Sequence, residues 1–114
     1  MTPPAWVYLL RCADGSLYCG WTSDLPRRMR AHGRGVASRY TASRLPLTLA
    51  VALPQPDRGA ARREEARVKR LPKRAKESWV AEMARVVPAP HDAALALQPE
   101  LAQRGGVEHE PAAG

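Results

Sequence analysis

Two tyrosines, an arginine and a histidine stand at spacings from which their side chains could meet. Tyr8 and Tyr18 lie in two consecutive extended segments, and Arg28 and His32 are four residues apart in the segment that follows. The planar guanidinium of arginine suits phosphate oxygens, because it can donate two parallel hydrogen bonds. Tyrosine and histidine can both transfer protons, but a phenol with a pKa of about 10 acts as a base near neutrality only where nearby cations lower that pKa. Whether the four residues can act together depends on the elements that carry them.

The two tyrosines are expected on one face of a β-hairpin. Two aromatic and β-branched segments, 6–12 and 16–21, flank Ala13-Asp14-Gly15. A three-residue connection, closed by the glycine in the left-handed conformation, would place Tyr8 opposite Gly20 and both tyrosines on the same face as diagonal neighbours. A two-residue turn would place the tyrosines on opposite faces, because side chains alternate along a strand.

A helix is expected after the hairpin. Thr22-Ser23-Asp24 offers N-cap residues, Pro26 fits the first helical turn, and Gly33 or Gly35 can end the helix. One stripe of this helix, at i, i+3, i+4, i+7 spacing, carries two of the chemically active residues; its members are Leu25, Arg28, Met29 and His32.

The rest of the basic part of the chain predicts one more strand and two more helices. The predicted elements are a polar, basic loop at residues 34–44, a buried central strand at Leu47–Leu53, a helix from Asp57 to about Leu71 and a helix over about Lys73–Val86. Prolines at 54, 56 and 72 separate them.

The order β-β-α-β-α-α predicts an α/β fold. We expect a small sandwich whose three-stranded, mainly antiparallel sheet is flanked by helices. Residues 1–87 would form the domain. From Pro88 onward Pro, Ala, Gly and Gln dominate, so residues 88–114 are expected to form a flexible tail.

The charge of the chain favours a polyanionic partner. Eighteen Lys and Arg against eleven Asp and Glu give a formal net charge of +7, and seventeen of these bases with seven of the acids precede Val87, which leaves that part at +10. Nucleic acid is the first partner expected of so basic a domain, and a merely solubilising basic surface is the alternative.

The chain shows no apolar run of membrane-spanning length and no signal-peptide pattern, so a soluble cytoplasmic protein is expected. In that compartment Cys12 and Cys19 would stay reduced, and we interpret both as small buried apolar residues.

Several blocks in this order resemble the GIY-YIG nuclease superfamily, and in particular its small bacterial single-domain branch. Trp6-Val7-Tyr8 and Tyr18-Cys19-Gly20 are similar to the two tripeptides that name the family, with Trp6 in place of glycine and Cys19 in place of isoleucine. The later blocks are Asp24-Leu25, Arg28 to His32, Tyr40-Thr41 and Glu65 to Leu71. The resemblance covers residues 6 to about 80.

The resemblance implies an endonuclease that hydrolyses phosphodiester bonds with one Mg²⁺ or Mn²⁺ ion and acts on DNA. The catalytic residues would be Tyr8, Tyr18, Arg28, His32 and Glu65, with Glu65 as the metal ligand. The residues expected to contact nucleic acid are Gly20, Arg27, Arg39, Tyr40 and Lys69. Selectivity for DNA structure rather than sequence, in repair or recombination, is expected because no element is an obvious reader of the major groove.

Two assignments stay open within this interpretation. The sequence leaves undecided which tyrosine activates water. Glu64 is adjacent to Glu65 and flanks the same helix face, and only the E-x-x-x-K-x-L pattern, completed by Lys69 and Leu71, favours Glu65.

The alternatives belong to other functional classes. A non-catalytic nucleic-acid-binding module of the same fold would share the basic surface, and an interaction domain could use that surface to bind an acidic protein. RNA could replace DNA as the substrate.

Overall fold

The predicted hairpin forms with the predicted register. The structure, a computed structural model, describes residues 2–98. Strand β1 (Ala5–Arg11) pairs antiparallel with β2 (Leu17–Thr22), and Tyr8 stands opposite Gly20. Gly15 closes the turn with φ at 87°, a conformation that favours glycine. Tyr8 and Tyr18 consequently share one face, with ring centroids 6.5 Å apart.

The third strand is an edge strand, so the prediction of a central position for it is wrong. Strand β3 (Thr48–Gln55) pairs antiparallel with β1, and the strand order is β2-β1-β3. The prediction was wrong because helices cover both faces of β3, so this edge strand is as apolar as a central strand would be. Its edge position explains how the strand continues through Pro54, since the outer edge of a sheet requires no N–H donor.

Helices cover both faces of the sheet, which confirms the predicted sandwich. On the face that carries Tyr8 lie α1 (Leu25–Gly33), α2 (Arg39–Ala42) and α5 (His91–Ala96); on the other face lie α3 (Arg58–Lys69) and α4 (Lys73–Val86). One buried cluster centres on Leu10, Leu25 and Met29, and the other centres on Leu9 and Val68. Strand β1 contributes alternate side chains to both clusters and is therefore the middle layer of the domain.

The residues predicted to begin and end the helices do so at the expected positions. The side chain of Asp24 accepts a hydrogen bond from the backbone N–H of Arg27 (3.2 Å), and that of Asp57 accepts one from Ala60 (2.7 Å). Gly35, two residues after α1, has a φ of 77°. None of the helices within residues 2–98 has the length and apolar character that a membrane crossing requires.

Two short helices were not predicted. Helix α2 occupies part of the segment predicted as a loop, and its N-cap Ser38 accepts a hydrogen bond from the Thr41 N–H (3.1 Å). Helix α5 lies in the segment predicted as a flexible tail. That prediction is wrong for residues 88–98, while residues 99–114 lie outside the described part of the chain.

Helix α5 packs tightly against α1. Ala93 and Leu97 are buried in the same cluster as Leu25 and Met29. A Cβ added at Gly33 would lie 2.5 Å from the backbone carbonyl oxygen of Leu97, so the contact requires glycine at this position. A helix this short is stabilised mainly by such tertiary contacts, which cannot be predicted from the local composition of the sequence.

We expect Leu97→Ala to lower the free energy of unfolding by about 2–4 kcal/mol, because it removes a buried side chain and leaves a cavity. Leu95→Ala is the matched control: Leu95 lies on the same helix and is 42% exposed, so its replacement should change stability by less than about 0.5 kcal/mol. Urea denaturation of the two variants measures both values. Equal, small losses would show that α5 does not belong to the folded unit.

Candidate active site

The predicted catalytic residues meet around one cleft of about 340 Å³. Each structural element brings a different group: β1 carries Tyr8, β2 carries Tyr18, α1 carries Arg28 and α3 carries Glu65. Residues separated by up to 57 positions in sequence thus line one concave surface. His32, the fifth predicted catalytic residue, lies behind the cleft wall in contact with Tyr8.

Tyr8 and His32 form a buried polar pair. The Tyr8 hydroxyl oxygen and His32 Nε2 are 2.7 Å apart, and the two residues are 1% and 0% exposed. On the other side of the imidazole, Nδ1 lies 2.9 Å from the Thr41 hydroxyl. Both ring nitrogens are therefore occupied, as a buried histidine requires.

Burial keeps both members of this pair uncharged near neutral pH. Burial is the largest cause that raises the pKa of Tyr8 well above its ordinary value, and Tyr18 adds to the effect while Arg28 opposes it. Burial, assisted by the positive charge of Arg28, lowers the pKa of His32 to about 4. The ground state thus holds a neutral phenol against a neutral imidazole.

The two neighbouring glutamates have different surroundings. Glu65 lines the cleft, and its side chain is 20% exposed with Oε2 3.3 Å from Lys69 Nζ. Glu64 forms a two-pronged ion pair with Arg67, with N–O distances of 2.9 and 2.8 Å. Both carboxylates pair with a base on α3, but only that of Glu65 also lines the cleft.

The oxygen donors around the cleft suit a hard divalent cation. Mg²⁺ usually binds through one or two carboxylates and completes its octahedral shell with waters and substrate phosphate oxygens. Glu65 with the neighbouring hydroxyl oxygens fits that pattern. Within residues 2–98 no group of three or more His, Cys, Asp or Glu side chains forms a ready-made metal cage.

Tyr40 contacts a tyrosine and an arginine. Its ring lies 6.0 Å from that of Tyr18 in a stacked arrangement, and the guanidinium of Arg44 sits over the ring, 3.7 Å from its centroid. Arg44 is held in turn by Asp14 at the hairpin turn (3.0 Å). Tyr40 is therefore adjacent to the cleft, although 38% of its surface stays exposed.

The other residues predicted to contact nucleic acid occupy varied positions. A Cβ at Gly20 would lie 2.6 Å from the Tyr8 hydroxyl oxygen, so the close approach of Tyr8 already accounts for this glycine. Arg27 is exposed beside the cleft, and Arg39 is exposed on α2. Lys69 pairs with Glu65. The contacts themselves stay predictions.

Three residues of the site were missed from sequence. Arg58 lines the cleft, Thr41 contacts His32, and Arg44 stacks on Tyr40. Arg58 immediately follows the N-cap of α3, and Glu65 lies seven residues, or two helical turns, further on; this spacing alone could have placed both on one face. Thr41 was noted only as part of the Tyr40-Thr41 block, with no role assigned, and nothing local singles out Arg44.

The cysteines have the environment predicted for them. Cys12 and Cys19 are both buried and free. Burial, with the charge of Glu65 second, raises the pKa of the Cys19 thiol to about 12, so this residue next to the cleft is not an activated nucleophile.

Protonation of His32 should destabilise the fold. Its pKa is about 4 in the folded state against 6.5 ordinarily, so the unfolded chain binds more protons between these values and stability falls as pH is lowered through this window. The full loss amounts to about 3 kcal/mol. Urea denaturation between pH 7 and pH 4.5 measures most of this loss, because the range ends just above the folded pKa of His32. His32→Gln should abolish this component of the pH dependence, whereas replacing the exposed His91 by Gln should preserve it.

Comparison with known proteins agrees with the resemblance of the sequence. Residues 4–82 match the family described as the GIY-YIG catalytic domain. The UPF0213 protein XAC3202 of Xanthomonas axonopodis pv. citri is 44% identical over 84 residues, which cover 74% of this chain and 82% of the relative. A UPF0213 protein of Nitratidesulfovibrio vulgaris is 52% identical over 67 residues, covering 59% of this chain and 61% of the relative. The solution NMR structure of the UPF0213 protein BH0048 from Bacillus halodurans is 36% identical with a TM-score of 0.48, and the match covers 78% of this chain and 90% of that one. Since the family match covers well over half of the chain, the protein belongs to the GIY-YIG family.

Proposed function

We propose that this protein is a cytoplasmic, divalent-metal-dependent endonuclease that hydrolyses phosphodiester bonds of DNA and is selective for DNA structure, in repair or recombination. The observation that carries the proposal is the convergence of Tyr8, Tyr18, Arg28 and Glu65 on one basic, solvent-open cleft. A binding module could hold phosphate with arginines alone. It has no need of a carboxylate among them, whereas a metal-assisted hydrolase does.

Each group in the cleft has a task in phosphodiester hydrolysis. Arg28 donates hydrogen bonds to the scissile phosphate and neutralises the charge that develops on it. Glu65 holds the Mg²⁺ or Mn²⁺ ion, which supplies Lewis-acid stabilisation of the phosphate and of the leaving oxygen when bound. To hold the ion, Glu65 would give up its pairing with Lys69, an ion pair on the partly exposed side of α3.

Tyr8 and His32 provide the path for the proton of the attacking water. The water oxygen bonds to phosphorus, its proton passes to the Tyr8 oxygen, and the phenolic proton of Tyr8 passes to His32 Nε2, 2.7 Å away. The bond between phosphorus and the leaving oxygen breaks, and the leaving oxygen takes a proton from solvent water, which gives a phosphomonoester and an alcohol. His32, left as an imidazolium, returns its extra proton through Tyr8 to the hydroxide that remains. In this scheme Tyr8 never carries a full negative charge. That suits a phenol whose pKa is raised by burial.

The surface around the cleft provides a path for a DNA backbone. The cleft shares Thr22, Ser23 and Arg28 with a second depression, of about 380 Å³, that is also lined by Arg27. This depression continues through Val36 and Ala37 to a third, which is lined by Arg39. With Arg58 in the cleft, arginines line the groove along its whole length. A groove of this kind follows a phosphate chain without reading bases.

Glu65→Gln should reduce metal-dependent DNA cleavage by at least about 100-fold, because a neutral amide is a poor ligand for Mg²⁺ and transition-state stabilisation by a metal is worth several kcal/mol. Glu64→Gln is the matched control and should retain cleavage, since its carboxylate pairs with Arg67. Labelled linear, flapped and branched DNA with Mg²⁺ or Mn²⁺ provides the measurement. If the native protein binds each DNA but cuts none, the enzyme proposal is wrong and a non-catalytic binding module replaces it.

Arg27→Ala should weaken DNA binding uniformly across sequences and lower the slope of log affinity against log salt by about 0.9, the value for one lost phosphate contact. Arg30→Ala serves as the control, because Arg30 is exposed on the same helix but lines none of the three depressions. Titrations at several salt concentrations, in EDTA to prevent cleavage, separate the two variants. Equal slopes would show that Arg27 makes no phosphate contact.

A further inference from the structure

Thr41 is a buried polar residue that contacts the rear of the site. Its side chain has no exposed surface, and its hydroxyl oxygen lies 2.9 Å from His32 Nδ1 and 2.9 Å from the Ser38 hydroxyl oxygen. The carbonyl oxygen of Ser38 is farther away, at 3.5 Å. A chain of polar groups therefore runs from the cleft through Tyr8 and His32 to Thr41 and the N-cap of α2.

The protons in this chain can be arranged in two ways. In one arrangement, the Tyr8 hydroxyl donates to Nε2, Nδ1–H donates to Thr41, and Thr41 donates to Ser38. In the other, all of these hydrogen bonds are reversed: Ser38 donates to Thr41, Thr41 to Nδ1, and Nε2–H to the Tyr8 oxygen. A neutral imidazole has one donor nitrogen and one acceptor nitrogen, so no mixed arrangement satisfies both ring nitrogens.

The contact between Tyr8 and His32 favours the first arrangement. A phenol hydroxyl is a much better proton donor than a neutral imidazole N–H, and an imidazole nitrogen is a better acceptor than a phenol oxygen. The separation of 2.7 Å, with both residues buried, agrees with a strong O–H···N hydrogen bond. The Thr41 hydroxyl also lies within donating distance of the Ser38 carbonyl oxygen, at 3.5 Å, so it has an acceptor for its own proton when it accepts from Nδ1–H.

We infer that Thr41 is a positioning residue that holds His32 in the tautomer with its proton on Nδ1, so that Nε2 accepts the phenolic proton of Tyr8. Only the catalytic role of Thr41 rests on the proposed function. The tautomer of His32 is a property of the free protein and does not depend on that function. Thr41 has the task that a carboxylate performs in other catalytic dyads: it accepts the N–H on the far side of the ring and fixes the orientation of that ring. The hydroxyl of Thr41 is neutral, so it does this without raising the basicity of His32 as a carboxylate would.

The position of Thr41 also couples the proton path to the substrate surface. Thr41 follows Tyr40 on α2, a single helical turn, and Tyr40 stacks on Tyr18 at the cleft. Any displacement of this turn by a bound strand would move the group that orients His32.

The test uses Thr41→Val, which has nearly the same shape but cannot accept a hydrogen bond, and Thr41→Ser, which retains the hydroxyl. Imidazole nitrogen NMR shifts of the metal-free proteins near neutral pH report which nitrogen carries the proton. We expect His32 to be protonated on Nδ1 in the native protein and in Thr41→Ser, and to shift toward Nε2–H in Thr41→Val. DNA cleavage should show a kcat at least about tenfold lower for Thr41→Val with little change in KM, and Thr41→Ser should restore kcat.

Each possible result of these measurements supports or overturns the role inferred for Thr41. A native protein protonated on Nε2, or a Thr41→Val variant that keeps the native tautomer and the native kcat, overturns the inference. If Thr41→Val does not fold, the native spectrum and that of Thr41→Ser still decide the tautomer. If the native protein cuts no DNA while His32 carries its proton on Nδ1, the proposed function fails and the role of Thr41 in the structure stands.

Discussion

The hydrogen bond between Tyr8 and His32 is the contact on which the site depends. It joins the central strand to α1 across the interior of the domain, with both partners fully buried. It exists only because the hairpin register places Gly20 opposite Tyr8, since any side chain at position 20 would occupy the space of the phenol oxygen. It also requires α1 to stay at one depth against the sheet, and α5 secures that depth through the contact of Leu97 with Gly33.

A consequence of this burial is that the charge of the site is concentrated in its outer part. Tyr8 and His32 are neutral at the back, while Arg28, Arg58 and Glu65 line the open side. Proton transfer between two neutral groups avoids burying an ion in the ground state, which would be costly without a partner. The cationic groups at the front face solvent, where a phosphate can reach them. In the proposed function, this division separates the transfer of a proton from the binding of a polyanion.

Much of this arrangement was predictable because the signals are local. Gly15 determines the turn and hence the face of both tyrosines, and Asp24 and Asp57 start helices that present Arg28 and Glu65. The rest was not predictable because it arises from contacts distant in sequence. Nothing near Leu47–Leu53 reveals that β1, rather than this apolar strand, occupies the centre of the sheet. The weak pattern of the α5 segment does not reveal the contact of Leu97 with Gly33, and the Tyr40-Thr41 block does not reveal that α2 places Thr41 behind His32.

The central position of β1 has a consequence for how the protein is made. This strand is synthesised before its second partner, β3, which begins at Thr48. Helices α1 and α2 emerge between the two strands, but α3 and α4, which cover the other face of the sheet, follow β3, and α5 follows them. The hairpin therefore has one edge of β1 unpaired until β3 has been synthesised, and one apolar face stays uncovered until α3 and α4 have followed. Since Leu97 is among the last core residues to emerge, a nascent chain stalled before it would carry Tyr8 and His32 without the packing that holds them together. Within residues 2–98, the order of synthesis thus makes the candidate site one of the last features to be completed.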